Sequence, residues 1–219
     1  MKLYTSKPVD YFSAARADVL ELCPSCVNRV LEVGCGEGQT LELLKKGKRC
    51  AETIGFELMP LAAQAASQRA DRVYCLNVEQ DVWPVGIGKF DLILLLDVLE
   101  HLVDPWSLLE KLKNEYLKID GKIIISLPNA QHFSLLLPLL AGQFNYVESG
   151  ILDKTHLRFF TKKSAIDLLH SAGLTVEAMQ RTSLDIRLNS GKLNAVTLGI
   201  FKNFLTSQYV FRACAQLVK

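Results

Sequence analysis

Val30-Leu31-Glu32-Val33-Gly34-Cys35-Gly36-Glu37-Gly38 is an apolar, β-branched run that ends in three glycines at alternate positions. Helix-compatible sequence follows from Gln39 to Lys46. The pattern predicts a strand, a tight turn and a helix start. Glycine tolerates positive φ and lets a ligand approach the backbone with no Cβ in its way. At the carboxyl end of a strand in an open α/β sheet, such a turn is where nucleotides bind.

The glycine spacing narrows the choice of nucleotide. A dinucleotide fingerprint, G-x-G-x-x-G, would place its third glycine where this chain has Gln39, which disfavours a nicotinamide oxidoreductase. Further on, Thr53-Ile54-Gly55-Phe56-Glu57 is a second apolar run ending in a carboxylate. That distance suits a βαβ unit with an acidic group on the ribose hydroxyls. One carboxylate accepts from two neighbouring hydroxyls at once, so Glu57 is the candidate ribose ligand. The competing reading is a solvated glutamate at a strand end.

Strand and helix patterns alternate along the chain. Strands are predicted at Arg29–Gly34, Thr53–Glu57, Arg72–Leu76, Phe90–Leu96 and Lys122–Leu127, and helices at Gly38–Lys46, Pro60–Arg69, Trp106–Leu117 and Lys162–Ala172. Residues Tyr11 to Leu22 read as a further amphipathic helix, with Phe12, Ala15, Val19 and Leu22 on one face. Such alternation implies a parallel sheet covered on both faces, a doubly wound α/β fold of three layers. After Ile125 the alternation breaks. Residues Asn129 to Thr161 form a long connection, and long connections in compact domains are usually lids or binding loops. Gly173–Gln180 and Tyr209–Val218 read as two last strands.

Composition excludes some classes. The 219 residues suffice for one large domain or two small ones, and a net charge of +2 gives no electrostatic case for a nucleic-acid partner. Met1 to Asp10 is polar with no apolar core after it, and Phe133 to Ala141 is too short to span a bilayer. A cytoplasmic location is therefore expected. Cys23-Pro24-Ser25-Cys26 is the one C-x-x-C pair. It lacks a second pair of ligands, so it reads as a reduced loop pair, and no metal site is expected from the spacing.

The acidic residue Glu32 followed by G-x-G-x-G, with Glu57 after it, resembles the first two motifs of the class I S-adenosylmethionine-dependent methyltransferases. The resemblance implies a Rossmann-like sheet of seven strands, the last antiparallel, and S-adenosylmethionine as cofactor. It implies cofactor contacts from Glu32, Gly34, Cys35, Gly36, Gly38, Glu57 and the adjacent Leu58. Asn77 and Val78 would lie near the adenine, although similar enzymes usually carry aspartate where Asn77 stands, and Asn77 also suits an ordinary turn. Leu96-Asp97-Val98-Leu99-Glu100-His101-Leu102 looks like the D-x-L-E-H segment of the small-molecule branch, with Asp97 and Val98 beside cofactor and acceptor. The N/D-P-P-Y/F signature of amino-group enzymes is absent. The segments Leu127–Phe133, Gly142–Tyr146 and Gly150–Thr161 extend the likeness to a broad bacterial family often found with glycan assembly enzymes.

That family implies one domain over residues 1–219, a lid helix over about 9–22 and an acceptor-site insertion over about 129–161. Arg16, on the lid, would pair with the cofactor's methionyl carboxylate or be solvated. His101 and His156 are the candidate bases, since imidazole titrates near neutrality; each has a structural alternative. Asp153 would orient His156 or fix its loop, and Arg158 would join His156 at the acceptor. The implied reaction is methylation of a small-molecule, sugar or lipid-linked acceptor, at oxygen. The alternative is a protein that binds the cofactor without transferring its methyl group.

Overall fold

The computed structural model describes residues 14–182 and 202–216. Seven strands form one sheet: β1 Val27–Val33, β2 Cys50–Glu57, β3 Arg72–Cys75, β4 Phe90–Leu96, β5 Leu117–Pro128, β6 Leu174–Thr182 and β7 Gln208–Ala215. Five α-helices connect them: α1 Gln39–Lys46, α2 Pro60–Ala66, α3 Pro105–Lys111, α4 Phe133–Leu140 and α5 Lys162–Ser171. The sheet order is β3-β2-β1-β4-β5-β7-β6. β1 pairs in parallel with β2 and β4, β4 with β5, and β2 with β3. β7 runs antiparallel to both β5 and β6.

Alternate residues of each strand face opposite layers. On one side Leu31, Ile93, Leu95, Ile123 and Phe211 pack with Leu108 and Leu109 of α3 and Leu168 and Leu169 of α5. On the other, Val30, Leu92, Leu94, Ile124 and Val210 pack with Leu41 and Leu44 of α1 and Ala66 of α2. The central strand β4 is therefore apolar at nearly every position because both of its faces are covered. Truncating Leu94, fully buried, to alanine would cost about 2–5 kcal/mol.

Local signals set the element ends. Gly38, at φ 84°, stands at the N-terminal cap of α1 in the left-handed conformation, which glycine adopts without a Cβ penalty. The Asp104 side chain accepts from the Ser107 amide at 3.1 Å, and Pro105 opens α3. Thr161 and Ser164 form a reciprocal capping box at the start of α5.

Several predicted elements differ from the observed ones. β5 starts at Leu117, not Lys122. Phe90 pairs with Leu117 and Leu92 with Lys122, so the intervening residues bulge; Asp120-Gly121 resembles a turn in sequence because it lies in that irregularity. α3 is shorter than predicted and passes into a π-helical turn at Leu112–Tyr116. The long connection contains a helix, α4, despite Pro138. The expected lid helix is not seen over its described part, where Ala17–Glu21 is only a single 3-10 turn. Tyr11 and Phe12 lie outside the described residues, as do Leu217 and Val218 at the end of the last predicted strand. No helix among the described residues is long and apolar enough to cross a membrane.

Candidate functional site

Strand order reverses between β1 and β4, and a cavity of about 680 Å³ opens at the carboxyl ends of the parallel strands. Gly34, Glu57, Asn77 and Asp97, each at the end of a different strand, all line it. Because β7 is antiparallel, its first residue, Gln208, sits opposite Pro128 at the same edge and joins the lining. The volume falls within the roughly 300–1,000 Å³ of small-molecule and cofactor sites.

The glycine turn is held by the neighbouring strand. The amides of Gly34 and Cys35 donate to the Phe56 carbonyl at 2.8 and 3.1 Å. Gly34 has φ 69°, and a Cβ there would lie 2.7 Å from Val98 Cγ2. Glycine is thus required both by backbone conformation and by the close approach of the β4 loop. Glu57, 5% exposed, accepts the Gly36 amide on Oε2 and the Met59 amide on Oε1, each at 2.8 Å. Burial pushes its carboxyl above the usual range, while these amides oppose the shift. Each oxygen retains a second lone pair for a hydroxyl.

Glu32 is buried at the end of β1, and its carboxyl is pushed up to about 8 by burial; Arg16 and a hydrogen bond from Thr40 oppose the shift. Its Oε2 has no hydrogen-bond partner among the described residues. Burial also pushes the Cys35 thiol far up, which makes it a small inert filler of the turn. Gly36, Leu58, Val78 and Val98 line the cavity, whereas Gly38 is not among its lining residues and acts as the cap of α1. Asn77 borders the cavity and closes a turn: its Oδ1 accepts the Glu79 amide at 3.0 Å, and its own amide donates to Asp81 Oδ2 at 2.6 Å.

Asp97 adopts φ 58°, left-handed for a residue with a side chain. Surrounding bonds hold it there. Its amide donates to Ser126 Oγ at 2.9 Å, and Ser126 Oγ donates to Asp97 Oδ1 at 2.8 Å. Gln208 Nε2 donates to the same oxygen. Arg16 spends its guanidinium on this assembly, reaching Asp97 Oδ2 at 2.5 Å, Ser126 Oγ at 3.2 Å, Gln208 Oε1 at 3.0 Å and both oxygens of Asp18 at 2.9 Å. Its place is in the cavity wall, bracing the end of β4. Ser126 and Gln208 have no signal in the sequence: the pairing of β4 with β5 brings Ser126 beside Asp97, and the pairing of β5 with β7 brings Gln208 there.

A second cluster lies where the loop after β4 meets the segment before α5. The Glu100 carbonyl accepts the amides of Leu157 and Arg158 at 2.8 and 3.0 Å, joining the two segments. The Glu100 side chain is 1% exposed, and neither carboxyl oxygen has a hydrogen-bond partner among the described residues. Burial first, then the charge of Asp97, pushes this carboxyl well above the usual range. His101 Nδ1 meets the Thr155 carbonyl at 3.1 Å, and His156 Nδ1 meets the Ile151 carbonyl at 2.9 Å. A carbonyl only accepts, so each Nδ1 carries a proton, and in the neutral ring Nε2 is the basic nitrogen. The two rings meet edge to face with centroids 4.7 Å apart. Asp153 Oδ1 accepts the Thr155 amide and hydroxyl at 2.8 and 2.7 Å, which fixes the loop. Arg158 is outside the cavity lining; its guanidinium lies over the Trp106 ring at 5.6 Å and donates to the Val103 carbonyl.

A model of the family described as "Methyltransferase domain" matches residues 9–179. The ubiquinone biosynthesis O-methyltransferase of Cereibacter sphaeroides is 28% identical over 152 residues, 67% of this chain and 60% of that protein. The chain thus spans less than two thirds of that relative's length. The tRNA 5-carboxymethoxyuridine methyltransferase of Escherichia coli is 32% identical over 133 residues, 58% of this chain and 49% of that protein. Among solved structures, a SAM-dependent methyltransferase from Archaeoglobus fulgidus superposes with a TM-score of 0.65 at 20% identity, over 94% of this chain and 96% of that one. The fold is that of the Archaeoglobus fulgidus structure, a Rossmann-like, mostly parallel sheet, and in this chain the glycine turn and the buried acidic strand end lie around a cavity. Those features fit S-adenosylmethionine, because the turn presents backbone without side chains and Glu57 stands buried in the same wall. The chain belongs to the methyltransferase-domain family and takes S-adenosylmethionine as its cofactor.

Proposed function

We propose that this chain methylates an oxygen of a small-molecule, sugar or lipid-linked acceptor. When bound, S-adenosylmethionine supplies an electrophilic methyl group on a sulfonium centre. Glu57 takes the ribose hydroxyls on the lone pairs that its two amide bonds leave open. Arg16, Ser126 and Gln208 hold Asp97 rigid beside the reacting centre, so that methyl transfer depends on orientation within a closed wall. Leu58, Asn77 and Val78 border the base.

The observation that carries the oxygen reading is the pair of imidazoles, His101 and His156, with tautomers set by backbone carbonyls at the cavity wall. A hydroxyl acceptor must lose a proton as it is methylated, and a neutral Nε2 is suited to receive it. The name of the Cereibacter sphaeroides relative, an O-methyltransferase, agrees with this. Six free cysteines agree with a reducing, cytoplasmic compartment. The name of the Escherichia coli relative, a tRNA methyltransferase, makes RNA the competitor that the near-neutral charge argues against.

The test is incubation with methyl-labelled cofactor and separate pools of small metabolites, glycans, lipids and RNA, followed by mass spectrometry. A methyl ether or ester in one of the first three pools is expected. Label in RNA alone, on nitrogen alone, or in no pool despite tight cofactor binding would overturn the reading; the last result would leave a binding protein without transfer.

A further inference from the structure

We propose that Glu100, His101 and His156 form a site for one divalent transition-metal ion of the zinc type, open to the acceptor side of the cavity. Each of the three residues offers one ligand atom, and these atoms lie within 4.8 Å of one another. All three residues line the cavity wall.

Glu100 makes the strongest argument. A carboxylate 1% exposed, with neither oxygen hydrogen-bonded among the described residues, is expensive to bury, and a protonated carboxyl would still leave its O–H without an acceptor. A cation satisfies both oxygens in a way that a neutral cavity does not. His156 Nε2 lies 4.0 Å from Glu100 Oε1. That is too long for a hydrogen bond. It is near the separation of about 3.3 Å between two ligands placed on one tetrahedral ion at zinc–ligand lengths of about 2.0–2.1 Å. Small side-chain rotations close the difference.

The histidines are prepared in the manner of metal ligands. A ligating imidazole usually donates its other N–H to a carboxylate or a backbone carbonyl, which fixes the ring and raises the basicity of the ligating nitrogen. Both rings do so here, through Thr155 and Ile151. Two neutral imidazoles and one carboxylate suit zinc and its transition-metal neighbours better than magnesium or calcium, which prefer oxygen ligands. Three protein ligands leave a position for water or for an acceptor oxygen, whose pKa the ion would lower; with the ion bound, both Nε2 atoms are ligands, so the proton of the bound hydroxyl leaves to solvent and not to an imidazole. This last point rests on the hydroxyl-acceptor reading above, whereas the ion site itself does not. No sequence spacing marks this cluster, because its ligands come from two distant segments joined by the Glu100 carbonyl bonds and by the contact of His101 with the Thr155 carbonyl.

The experiment uses the full chain, stripped with a chelator and dialysed against zinc or cobalt(II). Metal content is read by mass spectrometry, affinity by calorimetry and coordination from the visible spectrum of the cobalt form. One ion per chain is expected, without a thiolate-to-cobalt charge-transfer band, and Glu100→Gln and His156→Ala should each weaken affinity by about 100-fold. S-adenosylhomocysteine affinity and the melting curve serve as fold controls; Glu100→Gln keeps the side-chain shape and removes a buried charge. No stoichiometric ion, equal affinity in the two folded variants, or a thiolate band that marks binding at cysteines would overturn the site. An ion that binds as expected while no hydroxyl acceptor is found would uphold the site and count against the acceptor reading alone.

Discussion

Around Gly34, Gly36 and Glu57 the cavity wall is mostly main chain: amides of the turn donate to a strand carbonyl and to one carboxylate, and the participating residues lie within one βαβ unit. Around Glu100, His101 and His156 the wall is made of side chains from segments more than 50 positions apart, joined through loop carbonyls. On the proposed reading the first half binds a ligand whose shape is fixed, so a backbone cradle with fixed glycines suffices. On the same reading the second half faces the acceptor, and side chains on loops can be exchanged without disturbing the sheet. Mutations should separate the halves: changes in the first should abolish cofactor binding, and changes in the second should alter transfer while binding persists.

The largest effect is expected at Glu57. Glu57→Ala removes the ribose acceptor and strands the Gly36 and Met59 amides, so affinity for S-adenosylhomocysteine should fall by at least about 100-fold, near 3 kcal/mol. Calorimetry with a folded variant that retained its affinity would refute the ribose assignment and the division itself. Next is Gly34→Ala. An L-residue at φ 69° costs about 1–2 kcal/mol, and the new methyl group would press on Val98 Cγ2. A stability loss of about 2–3 kcal/mol in denaturant titration is expected. Weaker cofactor binding should accompany it, since Val98 is itself cavity wall.

These two halves also differed in legibility. The glycine turn, Glu57 and the apolar strand β4 could be read directly, because each is a local pattern with a local physical cause: positive φ, a strand end, or a strand buried on both faces. His101 and His156 stand out in the sequence as residue types, but their tautomers and mutual contact come from the carbonyls of Thr155 and Ile151, which no spacing reveals. The sequence leaves Arg16 as either a partner for the cofactor's carboxylate or a solvated side chain, whereas in the structure Asp97 and Asp18 pair with it. A guanidinium's partner depends on which chains surround it, not on its neighbours in sequence. Gln208 was invisible because only an antiparallel strand brings its first residue to the carboxyl edge. The predicted lid helix is a 3-10 turn over its described part, because an apolar period of suitable length also suits such a turn packed through Val19 and, in part, Leu20.

A smaller effect tests the electrostatics of the first half. Glu32 is pushed up to about 8 from an ordinary 4.5, chiefly by burial. Below the ordinary value both folded and unfolded chains hold the proton. Between the two values only the folded chain holds it, so stability falls as pH rises, and the loss is complete above the folded value. From about pH 5.5 to about pH 7.5 the contribution of this one group changes by about 2–3 kcal/mol, at 1.4 kcal/mol per pH unit. Glu32→Gln should flatten the pH dependence of the denaturation midpoint by that amount. An unchanged slope would mean that Glu32 stays ionised, with Arg16 compensating for its burial.

The smallest effect bears on the second half. Thr161 caps α5 through the Ser164 amide at 3.2 Å, and Ser164 Oγ accepts the Thr161 amide at 2.9 Å. Thr161→Ala should cost about 1 kcal/mol of stability by denaturant titration. The cofactor half shares no hydrogen bond with this cap, so affinity for S-adenosylhomocysteine should stay within about two-fold. Transfer is a sharper readout. Phe160, next to the cap, accepts the Ala130 amide through its carbonyl at 2.8 Å, and the segment from Gly150 to His156 that precedes it lines the cavity. If the acceptor wall is held by this helix start, the variant should raise KM for the acceptor more than it lowers kcat. If both parameters remain at wild-type values while stability drops, the loop is anchored by Glu100 and Asp153 alone, and the acceptor half is more independent of the helical layer than the cofactor half is of the sheet.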